Sequence, residues 1–322
     1  MSFFGGGTDY PTWYRREGGA VLSTSVDKYC YVMCRWLPPF FPSRHRVVWS
    51  HIELVSTISE ILHPAVRNGL QMLNFDDSRG IEIHHQGDLP ARAGMGSSSA
   101  FAVGLLHVLQ AMRGEAVDKK ALYEQAIALE QDWIKDKVGS QDQVACAMGG
   151  LNIIHFQPDG SIRAEPLGLS DERREALNSR MMLFYTGTSR LASEVAAQVI
   201  ADLEKRQTTL RQMHSLVFDA AALLRSDRDL DEFGRMLHET WKAKRSLSSV
   251  ISNDRIDQIY ETARQAGALG GKLLGAGSSG FMVFYVPHEA QDRVRAALGS
   301  LLDVPFKFDR AGTVLLESSG RV

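Results

Sequence analysis

The stretch Leu89-Pro90-Ala91-Arg92-Ala93-Gly94-Met95-Gly96-Ser97-Ser98-Ser99, with AFAVGLLHVLQAM behind it at 100–112, decides how this chain is read. Gly94 and Gly96 let a backbone turn tightly and approach a ligand closely. Apolar residues at Phe101, Leu105, Val108, Leu109 and Met112 then follow helical spacing. The first N–H groups of such a helix have no internal partner. With the positive end of the dipole and three serine hydroxyls, they form a site suited to a polyphosphate. A hydroxyl at that point can also hold Mg²⁺. No Gly-Lys-Ser/Thr follows, so this is not a Walker A loop. The uncharged run 93–112 carries glycines, serines, His107 and Gln110, too polar for a lipid-facing span, and reads as a helix buried in a globular domain.

Two further clusters of small residues flank this one in sequence: Gly5-Gly6-Gly7-Thr8-Asp9 and Gly275-Ala276-Gly277-Ser278-Ser279-Gly280. Any one of them alone would read as a tight turn. The second matches G-x-G-x-x-G literally. A dinucleotide fingerprint, however, needs a helix after the loop and an acidic residue further on within a βαβ unit. Here the loop runs into FMVFYV and then Pro287, which reads as strand, glycine loop, strand, and excludes that assignment.

Outward from these loops, strands are expected over Gly18–Trp36, Arg46–Leu54 and Gly80–His85. A second helix should run from an Asp118 N-cap to Trp133, with Leu122, Ala126 and Trp133 as core, and a short third helix should carry Asp142 to Ala147. Gly149-Gly150 turns the chain into the strand LNIIHF. Met181–Tyr185 is strand-like, and helical patterns fill Ala192 to Ala266, with breaks near Ser226–Asp229 and Ser252–Asn253. The end reads as strand, glycine loop, strand, a helix at His288–Leu301 and two strands near Phe306–Phe308 and Thr313–Glu317. A chain of 322 residues is long for one core, and the polar stretch Pro158 to Arg180 is the expected domain boundary, dividing 1–170 from 171–322.

Composition narrows the function. With 36 Lys+Arg against 38 Asp+Glu the net charge is −2, which argues against a nucleic-acid module or a polybasic membrane binder. Cys30, Cys34 and Cys146 cannot build a disulfide framework, and their low, odd number fits a reducing cytoplasm. Cys30 and Cys34 would share one side of a strand; buried thiols are the expectation rather than a metal site. The opening residues lack the basic and apolar regions of a signal peptide.

Three such loops in this order resemble the galactokinase, homoserine kinase, mevalonate kinase and phosphomevalonate kinase (GHMP) superfamily. Pro90-x-x-x-Gly94-Met95-Gly96-Ser97-Ser98 is similar to its ATP-phosphate signature. Lys272-Leu273-Leu274-Gly275-Ala276-Gly277 is similar to its C-terminal signature, departing from it at Ser278 and Ser279, where glycines are usual. The opening FFGGGTDYP, Gly139-Ser140-Gln141-Asp142-Gln143 and Tyr185-Thr186-Gly187-Thr188-Ser189-Arg190 look more narrowly like the D-glycero-D-manno-heptose 7-phosphate kinases. The resemblance implies an α+β fold of two domains, an N-terminal one with a left-handed βαβ element and a ferredoxin-like C-terminal one, with ATP and sugar meeting between them.

Phosphoryl transfer needs a phosphate cradle, a metal and a group that handles the nucleophile's proton. The resemblance assigns the cradle to Gly94, Met95, Gly96, Ser97, Ser98 and Ser99, Mg²⁺ to Ser98 and Glu130, and the substrate hydroxyl's proton to Asp142. Gly275, Ala276 and Gly277 would form the C-terminal glycine loop. Gly7, Thr8 and Asp9 would face the sugar, Asp9 accepting from neighbouring ring hydroxyls. Gly6 and Gly7 stand where galactokinases carry Glu and His, which opens space for a bulkier sugar such as a heptose 7-phosphate. Arg190 is the first candidate cation for that phosphate, ahead of Lys28, Arg15 and Arg16.

The residues alone leave simpler roles open: a helix-terminal acid for Asp142, a solvated helix face for Glu130, a solvated loop cation for Arg190. Asp142 does lie in the otherwise uncharged stretch Val138 to Pro158, where a carboxylate is costly without a partner. The superfamily's sugar kinases also place a basic residue before the first strand, which here would precede Met1, so a start at an internal methionine is expected. A protein that binds ATP and sugar without catalysis is the competing reading. The expected partners are a small sugar or sugar phosphate, with neither nucleic acid nor membrane; a homodimer is compatible.

Overall fold

The computed structural model describes residues 1–91, 93–187 and 192–316. The first half runs β1 (Ser2–Phe4), α1 (Pro11–Glu17), β2 (Gly19–Val26), β3 (Cys30–Leu37), β4 (His45–Val48), β5 (Ile52–Val55), α2 (Pro64–Met72), β6 (Gly80–Gly87), α3 (Ser97–Met112), α4 (Lys119–Ala128), α5 (Gln141–Met148), β7 (Leu151–Phe156) and β8 (Ile162–Pro166). The second runs α6 (Asp171–Asn178), β9 (Met181–Tyr185), α7 (Ala192–Leu203), α8 (Gln207–Arg225), α9 (Asp231–Leu247), α10 (Asp254–Gln265), β10 (Gly270–Leu273), β11 (Phe281–Tyr285), α11 (Gln291–Ala297), β12 (Leu302–Asp303) and β13 (Phe308–Asp309).

Three sheets organise these elements. β1-β2-β7-β8 is antiparallel, with β13 added to β2. β3-β6-β4-β5 contains one parallel pair, β4 with β6, whose crossover passes through α2. The third has the order β10-β11-β9-β12, all antiparallel. Its first strand in sequence lies between the third and fourth, with helices in the two connections, which is the split βαβ order of a ferredoxin-like domain. The chain is thus an α+β protein.

Helix α3 forms because its apolar residues are nearly continuous. Phe101, Ala102, Val103, Leu105, Leu106 and Leu109 are buried among α2, α4, α5 and β3. A helix enclosed on so many sides needs apolar residues all round rather than a stripe. Its N-terminus is thereby fixed. A second core joins the halves: Phe3 and Phe4 of β1 pack against Phe233 of α9 in T-shaped contacts at 5.4 and 5.2 Å between ring centres.

Some sequence expectations change. The polar stretch 158–180 holds β8 and α6, and the expected division at 170 falls between them. No strand forms at 313–316; residue 317 lies outside the described part. The other late strands fall at 302–303 and 308–309. Trp133 is 45% exposed rather than core, because residues Leu129–Trp133 form a π-turn. The wider turn shifts the helical phase, so the three-to-four spacing that aligns Ala126 with Trp133 fails there.

Candidate active site

A cleft with a cavity of about 200 Å³ collects the three glycine-rich loops. Gly6, Gly7 and Asp9 line it from the first, Gly94, Gly96 and Ser97 to Ser99 from the second, and Gly275 and Ala276 from the third. Gln141 and Asp142 enter from the first turn of α5. Met95 and Gly277, expected in the cradle and the C-terminal loop, are not among the lining residues.

Gly94 and Gly275 bring the second and third loops into backbone contact. Both have left-handed φ, +80° and +70°, and a Cβ on Gly94 would stand 2.7 Å from the Leu274 carbonyl oxygen. Only glycine permits both the conformation and the approach. The β10–loop–β11 arrangement is an antiparallel hairpin, in agreement with the exclusion of a dinucleotide turn.

At the mouth of α3 the N-cap is Gly96, and no side chain caps the helix. Its first amides are therefore left to a ligand. Two of the three serine hydroxyls turn elsewhere. Ser98 Oγ donates to Glu130 Oε1 at 2.8 Å, and Ser99 Oγ donates to Glu130 Oε2 at 2.7 Å. Gln143 Nε2 donates to Glu130 Oε2 at 2.5 Å. Glu130 is 2% exposed, so it is not on a solvated face. Burial raises its pKa, opposed by these three donors.

Asp142 follows Ser140, the N-cap of α5, and is also a first-turn acid. Its carboxylate lies against Gly96, where a Cβ would come within 3.2 Å of Asp142 Cγ. Burial raises its pKa, while the Met1 ammonium, Lys244 and Lys272 pull it down. Asp9 is 2% exposed. Its Oδ1 accepts from the Gly7 N–H at 2.9 Å. Burial lifts its carboxyl to about 6, against the Gly7 and Gln141 N–H groups. A Cβ on Gly139 would overlap this carboxylate, which explains the glycine before Ser140.

Thr8, expected to face the sugar, does not line the cleft. It is fully buried, and its Oγ1 donates toward Gly5 O (2.8 Å) and Ala20 O (3.0 Å) and accepts from Ala20 N (3.2 Å). Those partners consume the hydroxyl, which pins the first loop to β2. Arg190, with Thr188 and Ser189, lies outside the described residues. Lys28, Arg15 and Arg16 do not line the cleft. Sequence reading missed Lys244, Lys272, Tyr10, Lys137 and the role of Gln141, all of which do. Two buried atoms on the lining, Gln141 Oε1 and Ser2 Oγ, have no partner among the described residues. Such orphans suit a polar ligand.

Sequence comparison agrees with this geometry. Residues 58–150 match the GHMP kinases N terminal domain, and residues 220–303 match the GHMP kinases C terminal domain. The chain belongs to the GHMP kinases. Its two-domain fold is theirs. It is 29% identical over 208 residues to the D-glycero-alpha-D-manno-heptose 7-phosphate kinase of Campylobacter jejuni, covering 63% of this chain and 60% of that one. It is 26% identical over 228 residues to the L-fucokinase/L-fucose-1-P guanylyltransferase of Bacteroides fragilis, covering 68% and 23%. The chain therefore spans three-fifths or less of these relatives' lengths. Among solved structures, a D-glycero-D-manno-heptose 1-phosphate kinase from Bacteroides thetaiotaomicron superposes with a TM-score of 0.76 at 21% identity, over 97% of this chain and 94% of that one.

The donors at the α3 mouth fit a GHMP kinase's metal. Ser98 and Glu130 offer a hydroxyl and a carboxylate, hard oxygen donors of the kind Mg²⁺ takes alongside substrate phosphates. Among the described residues no cluster of histidine, cysteine and carboxylate forms an all-protein metal cage. The cysteines are free. No described helix is long and apolar enough to cross a membrane.

Proposed function

We propose that this chain is an ATP-dependent sugar kinase that phosphorylates an anomeric hydroxyl, with D-glycero-D-manno-heptose 7-phosphate as substrate and the 1,7-bisphosphate as product. One observation carries the reading: Asp142, Asp9 and the uncapped amides of α3 line the same cleft. A nucleotide's phosphates and an alcohol can meet there with an acid between them.

In this reading the amides of Ser97 to Ser99 bind the phosphates. Asp142 takes the proton of the C1 hydroxyl as its oxygen bonds to the γ-phosphorus and the bond to the ADP oxygen breaks. Its pKa, raised by burial, brings a carboxylate closer to the basicity a general base needs near neutral pH. Asp9 and Gln141 hold ring hydroxyls. Ser98 and Glu130 would hold Mg²⁺, which neutralises phosphate charge when bound. Gly6 and Gly7 leave room for the heptose's extra carbon and phosphate. Arg190 stays the first candidate for gripping that phosphate.

The division at residue 170 belongs to the same proposal, supported by a first unit built on β1–β8 and a second on β9–β12. The reaction would run in the cytoplasm and supply nucleotide-activated heptose for surface polysaccharide. Similarity to a fucokinase supports a second reading, a plain hexose 1-kinase. ADP release measured with heptose 7-phosphate, galactose and fucose decides between them. Turnover of a hexose without turnover of the heptose phosphate overturns the substrate assignment; nucleotide and sugar binding with no ADP from any of the three overturns the kinase.

A further inference from the structure

Two lysines that the proposed chemistry leaves unused stand inside the cleft. Lys244 comes from α9 and Lys272 from β10, 8% and 2% exposed. Both feel Asp9 and Asp142 as their nearby carboxylates. A buried ammonium is retained only where charge or hydrogen bonds compensate it.

The two are employed differently. Lys244 Nζ donates to Leu273 O at 2.9 Å and to Gly275 O at 2.6 Å. It spends two of its three hydrogens on tying the third glycine loop to α9. Lys272 Nζ donates to Phe3 O at 3.1 Å, its one hydrogen bond among the described residues. Two of its hydrogens are left for the cleft. Burial, with Lys244 beside it, sets its pKa well below the usual lysine range, and an anion beside the Nζ would favour its charged form.

We infer that Lys272 is a catalytic cation that contacts the terminal phosphate of the nucleotide, opposite Asp142, while Lys244 fixes the loop that frames it. This rests on the sugar-kinase reading for its catalytic part and on the cleft's geometry alone for its binding part. A phosphate oxygen accepts the two free N–H groups. A fixed ammonium in a water-poor site stabilises the negative charge spread over the γ-phosphoryl oxygens in the transition state.

The test uses the full chain. Binding of Mg·AMP-PNP and Mg·ADP is measured by calorimetry for the wild type, Lys272→Met and Lys272→Arg, together with kcat for ADP release. Lys272→Met should weaken the triphosphate analogue by about tenfold or more while ADP changes less than about threefold, with kcat down by about 10²-fold or more. Lys272→Arg should recover part of both. An unchanged ratio of triphosphate to diphosphate affinity in a folded Lys272→Met protein overturns the inference.

Should that variant not fold, the wild type answers by lysine acylation read by mass spectrometry. Mg·AMP-PNP should protect Lys272 and Mg·ADP should not; equal labelling under both overturns the inference. A wild type that turns over no sugar yet keeps the affinity ratio dependent on Lys272 sinks the sugar-kinase reading and leaves the phosphate contact standing.

Discussion

Glu130 accepts a hydrogen bond from the Ser98 hydroxyl at 2.8 Å, joining the first turn of α3 to the π-turn that follows α4. Ser98 lines the cleft, and the buried Glu130 stands directly behind it. Replacing Glu130 by Gln keeps the shape and removes the charge. The Mg²⁺ concentration giving half-maximal ADP release should rise by about tenfold or more, with the melting temperature little changed. A magnesium titration of both proteins reads this; superimposable curves would remove Glu130 from the metal's surroundings.

Asp142→Asn separates binding from chemistry. An amide cannot take the hydroxyl's proton, so kcat should fall by about 10²–10⁴-fold. Affinity for a nonhydrolysable nucleotide should stay within about threefold. Steady-state kinetics with calorimetry distinguishes this from a variant that has merely lost nucleotide binding.

Asp9 makes stability depend on pH. Its carboxyl rises from 3.8 to about 6 in the folded chain. The native state therefore holds this proton more tightly than the unfolded one. Its stabilising effect is complete below about pH 4 and is lost as pH rises through about 6. Asp9→Asn should thus stabilise the protein at pH 7.5 by about 1–3 kcal/mol, with the gain vanishing near pH 4. Sugar affinity should fall in the same variant. Denaturant melts at the two pH values check the sign, and a variant less stable at pH 7.5 would contradict it.

Gln141 offers a buried acceptor with no partner among the described residues. Gln141→Ala should raise the KM for sugar by about tenfold, as expected for one lost buried hydrogen bond, and leave nucleotide affinity unchanged. An unchanged sugar KM would show that its carbonyl faces no ligand.

Much of this site was legible because loop chemistry is local. Glycines, serines and the apolar run after them specify a helix mouth from a dozen adjacent residues, and α3 begins at Ser97 as that pattern requires. What was not legible depended on long-range packing. Thr8 carries the right chemistry for a sugar ligand but spends its hydroxyl on Ala20, a partner set by how the first loop folds onto β2. Trp133 fits a helical face until the π-turn shifts the phase. Lys244 sits among charged residues of an amphipathic helix and reads as surface; only the docking of α9 on the third glycine loop buries it. The polar composition of 158–180 hides β8, which pairs with β7 and needs few apolar residues of its own.

A crystal structure with a nonhydrolysable ATP analogue and Mg²⁺ tests the central claim most directly. The account predicts the triphosphate lying on the amides of Ser97 to Ser99, its terminal phosphate between Asp142 and Lys272. Phosphates bound anywhere else on the molecule would contradict it.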